Sequence, residues 1–134
     1  MQNMSGGKTA LGLDSNVGAL ITYVGNLVCM LGLIYSIVIL VSDKSNKLPR
    51  FHAMQSILLT VANLVVLVPG YLIATGFFLV GSTITTLLGF IIMLVLIVVG
   101  LGLFVLMIIS AIKAFNGEIY KIPVLGNFAD KWSN

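Results

Sequence analysis

Two long stretches without a charged residue dominate the chain, and short polar segments flank them. The first stretch runs from Ser15 to Ser42, and the second runs from Ala53 to Ile112. A helix needs about 20 consecutive apolar residues to cross the hydrocarbon core of a bilayer. The first stretch suffices for one crossing, and the second is about three times as long as one crossing needs. The pattern therefore predicts an all-α membrane protein.

The first membrane helix is predicted over residues 17–41. Asp14, Ser15 and Asn16 precede it, and side chains of these types accept hydrogen bonds from the free N–H groups at a helix start. Residues 1–13 are partly polar and have no period, so they are predicted to form a mobile N-terminal tail. The single cysteine, Cys29, is predicted to be a small buried apolar side chain.

The second stretch is predicted to form two helices, over residues 53–80 and 83–112, separated near Gly81. Pro69 and Gly70 offer a further break, which would give four crossings in all. With only three crossings, Pro69 would kink the second helix without ending it.

The positions of the basic residues decide between three and four helices. With three, Lys8 lies on one side, and the other side holds Lys44, Lys47, Arg50, Lys113, Lys121 and Lys131. With four, the three C-terminal lysines change sides and the two sides become nearly equal. Cytoplasmic segments carry the excess of Lys and Arg, so three helices are favoured. The N-terminus is then outside, and the 42–52 loop and the C-terminus are cytoplasmic.

The C-terminal segment, residues 113–134, alternates aromatic and charged side chains after the last apolar residue. Gly117 suits a helix C-terminal cap. Phe128 and Trp132 alternate with Asp130 and Lys131, which predicts an amphipathic segment in the membrane interface. An ordinary solvated tail is the alternative. The predicted domains are thus the 1–13 tail, a three-helix bundle over 14–112, and a cytoplasmic interfacial tail over 113–134.

The composition agrees with a lipid environment and excludes several function classes. Apolar residues make up 59% of the chain and charged residues 8%, against about 25% charged in soluble domains. The net charge of +3 is not gathered in a basic block, so nucleic acid is not expected as a partner. No hydrolase, metalloprotease, P-loop or thiol redox motif occurs. We therefore expect no enzyme activity, no catalytic residues, no metal site and no cofactor.

The segment R-F-H-A-M-Q-S, residues 50–56, begins a polar face on the second predicted helix. At 100° per residue His52, Ser56 and Asn63 share one side, and Gln55 flanks it. A polar side chain facing lipid is costly, so this face should meet protein or a water-filled cavity. With Asn26 on the first helix, it predicts a polar helix seam of Asn26, Gln55, Ser56 and Asn63. Such a seam either joins helices or lines a pathway.

Two other sets of residues are predicted to make contacts. Gly18, Gly25 and Gly32 recur every seven residues, which predicts a close helix contact. Arg50 and His52 are predicted to anchor the cytoplasmic end of the second helix. Basic side chains near that end are predicted to contact lipid headgroups, namely Lys44, Lys47, Arg50, Lys121 and Lys131.

Three motifs resemble one family in order and spacing. They are G-L-D-S-N-V-G-A-L-I-T-Y (12–23), R-F-H-A-M-Q-S (50–56) and K-A-F-N-G-E-I-Y-K-I-P-V-L-G-N-F-A-D-K (113–131). Together they resemble the Tic-twenty-like family of small prokaryotic membrane proteins, named for a chloroplast protein-import component. The resemblance implies a helical protein of the prokaryotic plasma membrane with no catalytic residues, although the chloroplast relative has four membrane helices. The positions that match its signature are Asn16, Arg50, His52, Gln55, Gly117, Tyr120 and Pro123.

Three functions remain open on the sequence. The first is a non-enzymatic structural or accessory subunit of a membrane complex, with itself or another membrane protein as partner. The second is an oligomeric channel or translocase-like component, and the third is a protein that binds anionic membrane lipids. A structural subunit should keep the seam between helices of one protomer, whereas a channel should place it on an oligomer axis.

Overall fold

A computed structural model describes residues 6–28 and 30–134, so the prediction for Cys29 lies outside the described residues. A short 3₁₀ helix, Gly25–Leu27, follows the first α-helix. The α-helices are α1 (Ser15–Val24), α2 (Leu31–Ser42), α3 (Lys47–Val80), α4 (Thr83–Phe115) and α5 (Leu125–Trp132). No strand forms within the described ranges. The prediction of an all-helical protein is confirmed.

The first apolar stretch does not form one helix, so the prediction of a continuous helix over 17–41 is wrong. α1 has 10 residues and α2 has 12, which gives lengths of about 15 and 18 Å at 1.5 Å per residue. Neither reaches across a hydrocarbon core of about 30 Å. The chain breaks after the 3₁₀ turn, where Met30 takes a left-handed φ of 60°. Three membrane-spanning helices are therefore not confirmed.

The break lets α1 and α2 fold back on each other as a helical hairpin. Gly25 and Gly32 meet so closely that a Cβ on Gly25 would lie 2.8 Å from the Cα of Gly32. At the other end of the hairpin, Ser15 bonds the side chain of Asn46. The glycine spacing thus marks a contact inside the first stretch, which a straight helix cannot make.

The fold-back brings the N-terminal segment against the loop after α2. The N–H of Ala10 donates to Asp43 Oδ2 at 3.3 Å, and the carbonyl of Lys8 accepts from Asn46 Nδ2 at 3.4 Å. The charge count predicts the N-terminal segment and this loop on opposite sides of the membrane. In the structure Lys8 and Ala10 instead lie beside the loop.

Among the described residues, α3 and α4 are the two helices long and apolar enough to cross a membrane. They contain 34 and 33 residues, or about 50 Å each. Pro69 lies inside α3 without ending it. Gly81, with φ of 74°, turns the chain between them, and Ser82 Oγ accepts the N–H of Thr85 at 3.2 Å to start α4.

The chain divides into two compact units. We call the first the head; it comprises the described residues up to Thr60 together with Leu106–Asn134. Its buried core includes Ala19, Tyr23 and Leu48. Every Lys, Arg, Asp and Glu of the sequence belongs to the head.

The second unit, Val61–Val105, is uncharged. Within it Gly70 packs under the side chain of Leu96, and Gly89 packs under Phe78. The rings of Phe78 and Phe90 meet edge to face with centroids 5.2 Å apart. Small residues at these contacts let the helical segments approach closely.

Candidate functional site

A buried hydrogen-bond network in the head centres on His52. Its Nε2 lies 2.9 Å from the carbonyl oxygen of Glu118. A carbonyl can only accept, so Nε2 carries the hydrogen and Nδ1 is left as an acceptor. The hydroxyl of Tyr23, 3.0 Å from Nδ1, therefore donates to His52. Both side chains are fully buried.

Gln55 completes this network, one turn further along α3. Its Nε2 donates to Tyr23 Oη at 3.0 Å and to the carbonyl of Tyr120 at 3.1 Å. Its Oε1 accepts the N–H of Ile122 at 3.1 Å. The amide thus satisfies a hydroxyl and two backbone groups that would otherwise be buried without partners.

The network holds the segment that follows α4. Gly117 takes a left-handed φ of 75°, and its N–H bonds the carbonyl of Ala114 at 3.0 Å, as expected of a helix C-terminal cap. Tyr120 contributes its carbonyl, while the carbonyl of Pro123 accepts the N–H of Leu125 at 2.8 Å. Two motifs far apart in sequence therefore meet as parts of one structure.

Arg50 joins three other parts of the head. Its Nε donates to the carbonyl of Ser133 at 2.8 Å. Its Nη1 donates to the carbonyls of Leu40 at 2.9 Å and Asp43 at 2.6 Å. These carbonyls belong to the end of α2, the following loop and the end of α5. A cation at a helix C-terminus is favourable because it meets the negative end of the helix dipole.

The predicted polar seam exists in part, and it is closed within one chain. Asn26 Nδ2 donates to Ser56 Oγ at 2.9 Å and to Thr60 Oγ1 at 3.3 Å. Ser56 Oγ in turn donates to the carbonyl of Thr22 at 2.6 Å. Gln55 belongs to the neighbouring network, and Asn63 lies in the uncharged unit. The seam therefore joins the α1–α2 hairpin to α3.

The contact glycines lie in the same hairpin. A Cβ on Gly18 would meet Thr9 and the hydroxyl of Tyr35, and one on Gly32 would meet the backbone nitrogen of Asn26 at 2.5 Å. The side-chain Oδ1 of Asn26 is buried and has no hydrogen-bond partner in the part of the chain that the structure describes.

Sequence reasoning missed Tyr23 and Asp43. Tyr23 stands in an apolar run whose pattern gives no sign that its hydroxyl bridges His52 and Gln55. Asp43 is buried, and its Oδ1 accepts hydrogen bonds from the backbone N–H groups of Ser45 and Asn46. These bonds fix the conformation of the chain just before α3. An acidic residue shortly before a helix was the available signal for it.

Several lysines predicted to contact lipid headgroups are engaged within the chain. Asp130 pairs with Lys121 at 2.8 Å and with Lys47 at 3.4 Å. The hydrogen bond from Lys121, aided by Lys47, lowers the pKa of Asp130 below its ordinary value. Lys44 and Lys131 are exposed and make no ion pair with any described residue. Lipid contact by these side chains stays a prediction.

Over residues 6–28 and 30–134, no three His, Cys, Asp or Glu side chains cluster as metal ligands would. A cavity of about 380 Å³ between α1 and the end of α4 is lined by apolar surface, including Leu20, Val24 and Met107.

Comparison with known proteins identifies the family. The sequence model of the magnetosome magnetite crystal formation protein family (MamF/MmsF) matches residues 14–129. The chain belongs to this family. Two proteins of the archaeon Methanocaldococcus jannaschii are also similar to this family member. UPF0132 membrane protein MJ1443 is 32% identical over 127 residues, or 95% of this chain and 96% of its own. UPF0132 membrane protein MJ1527 is 32% identical over 124 residues, or 92% and 73%. No solved structure matches the chain.

These matches correct the family expected from the sequence motifs. The matched range contains R-F-H-A-M-Q-S and nearly all of the other two motifs, yet the family is the magnetosome one. The assignment to the Tic-twenty-like family is therefore wrong. The motifs gave the wrong family because they contain residues of one buried network. The residue types in that network are explained by their hydrogen bonds and do not identify a function. Together with α3 and α4, the relatives show a helical membrane protein.

Proposed function

We propose that this protein is a non-enzymatic structural or accessory subunit of a membrane complex. The apolar parts of α3 and α4 cross the bilayer, and the charged residues lie outside its hydrocarbon core. The observation that carries the proposal is the closure of the polar seam inside a single chain. The partner would be a second copy of this chain or another membrane protein.

The closed seam argues against a channel built on the same residues. A pore needs polar groups that face a shared cavity. Gln55 and Ser56 are fully buried, and both bond to groups of the same protomer. Asn26 likewise spends its amide N–H groups on Ser56 and Thr60. Bonds to a permeating solute would have to replace these internal bonds.

The distribution of charge supports a revised topology. The uncharged unit, Val61–Val105, contains the turn at Gly81, whereas all Lys and Arg residues belong to the head. The positive-inside rule then places the head in the cytoplasm. The N-terminal segment accompanies it because Ala10 bonds Asp43. Both termini are thus cytoplasmic, in a prokaryotic plasma membrane.

Asn26→Leu, with the exposed Asn127→Leu as matched control, tests the proposal. Asn26→Leu removes two hydrogen bonds and leaves Ser56 with one partner fewer. The change should lower the free energy of unfolding by about 1–3 kcal/mol. We expect Asn26→Leu to lower the unfolding temperature or loosen assembly in nanodiscs, measured by native mass spectrometry. Proteoliposomes of wild type and variants should show no solute flux. Flux through the wild type that Asn26→Leu changes, with assembly and stability intact, would contradict the proposal.

A further inference from the structure

A basic pocket lies in the head where α3 begins. Its volume is about 260 Å³, and it is lined by Lys44, Ser45, Lys47, Arg50, Ser133 and Asn134. Three of these six side chains are cationic and none is acidic. The proposed function gives this pocket no role.

Ser133 supplies an unmet hydrogen-bonding group at this pocket. The residue is 1% exposed, and its Oγ has no hydrogen-bond partner among the described residues. Its backbone is fully engaged, since the N–H donates to Ala129 and the carbonyl accepts from Arg50. A buried hydroxyl without a partner costs about 1–3 kcal/mol. An acceptor inside the pocket would remove that cost.

The side chains around the pocket carry more positive than negative charge. Lys44 pairs with no acid in the described part of the chain, and Lys47 shares Asp130 with Lys121. The carboxylate of Asp43 is already occupied by backbone N–H groups. Arg50 uses Nε and Nη1 for carbonyls, and its Nη2 bonds no described residue.

The start of α3 adds to this potential. The helix has 34 residues and begins at Lys47. The free N–H groups and the positive dipole end of a helix N-terminus favour anions. Pro49 in the first turn has no N–H, so the donors that line the pocket are two lysines, Arg50 and a hydroxyl. They suit a tetrahedral oxyanion, which offers several acceptor oxygens at once.

We propose that this pocket binds a phosphate group, presented by the headgroup of an anionic membrane lipid or by a soluble phosphate compound. Its volume is below the 300 Å³ or so of a typical ligand pocket, which suits a phosphate and little more. The lipid source is favoured by the neighbouring α5. There Phe128 and Trp132 are about half exposed, with ring centroids 5.5 Å apart, as aromatic side chains at headgroup depth are.

Binding to the purified full-length protein in mild detergent tests the site with two probes. Inorganic phosphate is titrated by calorimetry, and phosphatidylglycerol is scored by native mass spectrometry against diacylglycerol, which lacks phosphate. Lys44→Gln and Ser133→Ala each remove one pocket group. Lys131→Gln makes the same charge change as Lys44→Gln on an exposed residue outside the pocket.

We expect Lys44→Gln and Ser133→Ala to weaken phosphate binding about fivefold each, because each removes one partly screened hydrogen bond to a charged group. Lys131→Gln should leave it within about twofold. If Lys44→Gln and Ser133→Ala lose phosphatidylglycerol adducts as well as inorganic phosphate binding, the phosphate group belongs to a lipid headgroup. If they lose only inorganic phosphate binding, it belongs to a soluble compound. The proposal is overturned if neither probe binds, or if Lys131→Gln weakens binding as much as Lys44→Gln. Thermal unfolding of each variant confirms that the head is intact, and failure here leaves the proposed function untouched.

Discussion

Replacing Gln55 by leucine should release the segment after α4 from α3. Leucine fills similar space but offers no hydrogen bonds. The change removes the acceptor of the Ile122 N–H and the donor to the Tyr120 carbonyl, at 3.1 Å each, together with a donor to Tyr23. Two of these partners are backbone groups, so they stay in place and lose their hydrogen bonds in the variant.

The cost follows from the number of groups left without a partner. Each buried polar group that loses its partner costs about 1–3 kcal/mol. Ile122 is 2% exposed and Tyr23 is fully buried, so both lie where water does not reach, while the Tyr120 carbonyl belongs to a half-buried residue. We expect a loss of about 2–5 kcal/mol in the stability of the head. Relaxation of the 118–122 segment toward solvent would bring the loss to the lower end.

Hydrogen exchange at the Ile122 amide and thermal unfolding in detergent measure this effect. Met54→Leu serves as the control, because it is a volume-conserving change on the adjacent residue of α3 and should cost less than about 1.5 kcal/mol. Gln55→Leu should speed exchange at Ile122 at least about thirtyfold, the rate equivalent of 2 kcal/mol. Equal protection of Ile122 in Gln55→Leu and Met54→Leu would refute the reasoning.

Two further predictions concern the hairpin and α5. Gly32→Ala should destabilise the protein by about 2 kcal/mol or more, since its Cβ would meet the backbone of Asn26 at 2.5 Å. Gly102→Ala, with nothing within 4 Å, should stabilise α4 by about 0.5–1 kcal/mol; unfolding temperatures that shift alike would contradict both. The pKa of Asp130 is lowered from 3.8. Its ion pairs should therefore stabilise α5 at pH values above 3.8 and lose this effect as the pH falls through the lowered pKa. Trp132 fluorescence should report this transition, and an unchanged transition in Asp130→Asn would disprove it.

The long apolar stretch was sufficient to predict α3 and α4. Sixty uncharged positions exceed one crossing, and Gly81 with Ser82 offered the only polar break near the middle. Pro69 was correctly kept inside a helix, because a membrane helix tolerates proline when its other hydrogen bonds are met. The helical class therefore followed from composition and spacing alone.

The fold-back of the first stretch could not be predicted from the same signals. No proline or charge marks the break, and Met30 takes its left-handed φ without the usual glycine. The seven-residue spacing of Gly25 and Gly32 fits a contact with another helix as well as a contact across a hairpin. Lys8 was consequently counted on the side opposite to the loop, beside which it lies in the structure, and the charge count then favoured three crossings.

The candidate site was predicted in its polar members and missed in its connections. Asn26 and Ser56 were placed on one seam because polar groups avoid lipid. The structure bonds them to each other, but the carbonyl of Thr22, which accepts from Ser56, carries no sequence signal. His52 was expected to be an interface anchor or a hydrogen-bond donor, and in the structure its Nε2 donates to the carbonyl of Glu118 while its Nδ1 accepts from Tyr23.

Both termini lie on the same side of the membrane in the proposed two-span arrangement. Single-cysteine labelling in intact cells and inverted vesicles tests this most directly, in a Cys29→Ser background. Lys8→Cys, Ser45→Cys and Asn127→Cys should all react from the cytoplasmic side, and Ser82→Cys from the opposite side. Reaction of Lys8→Cys from the side opposite to Ser45→Cys would restore a spanning first helix and contradict the closed head.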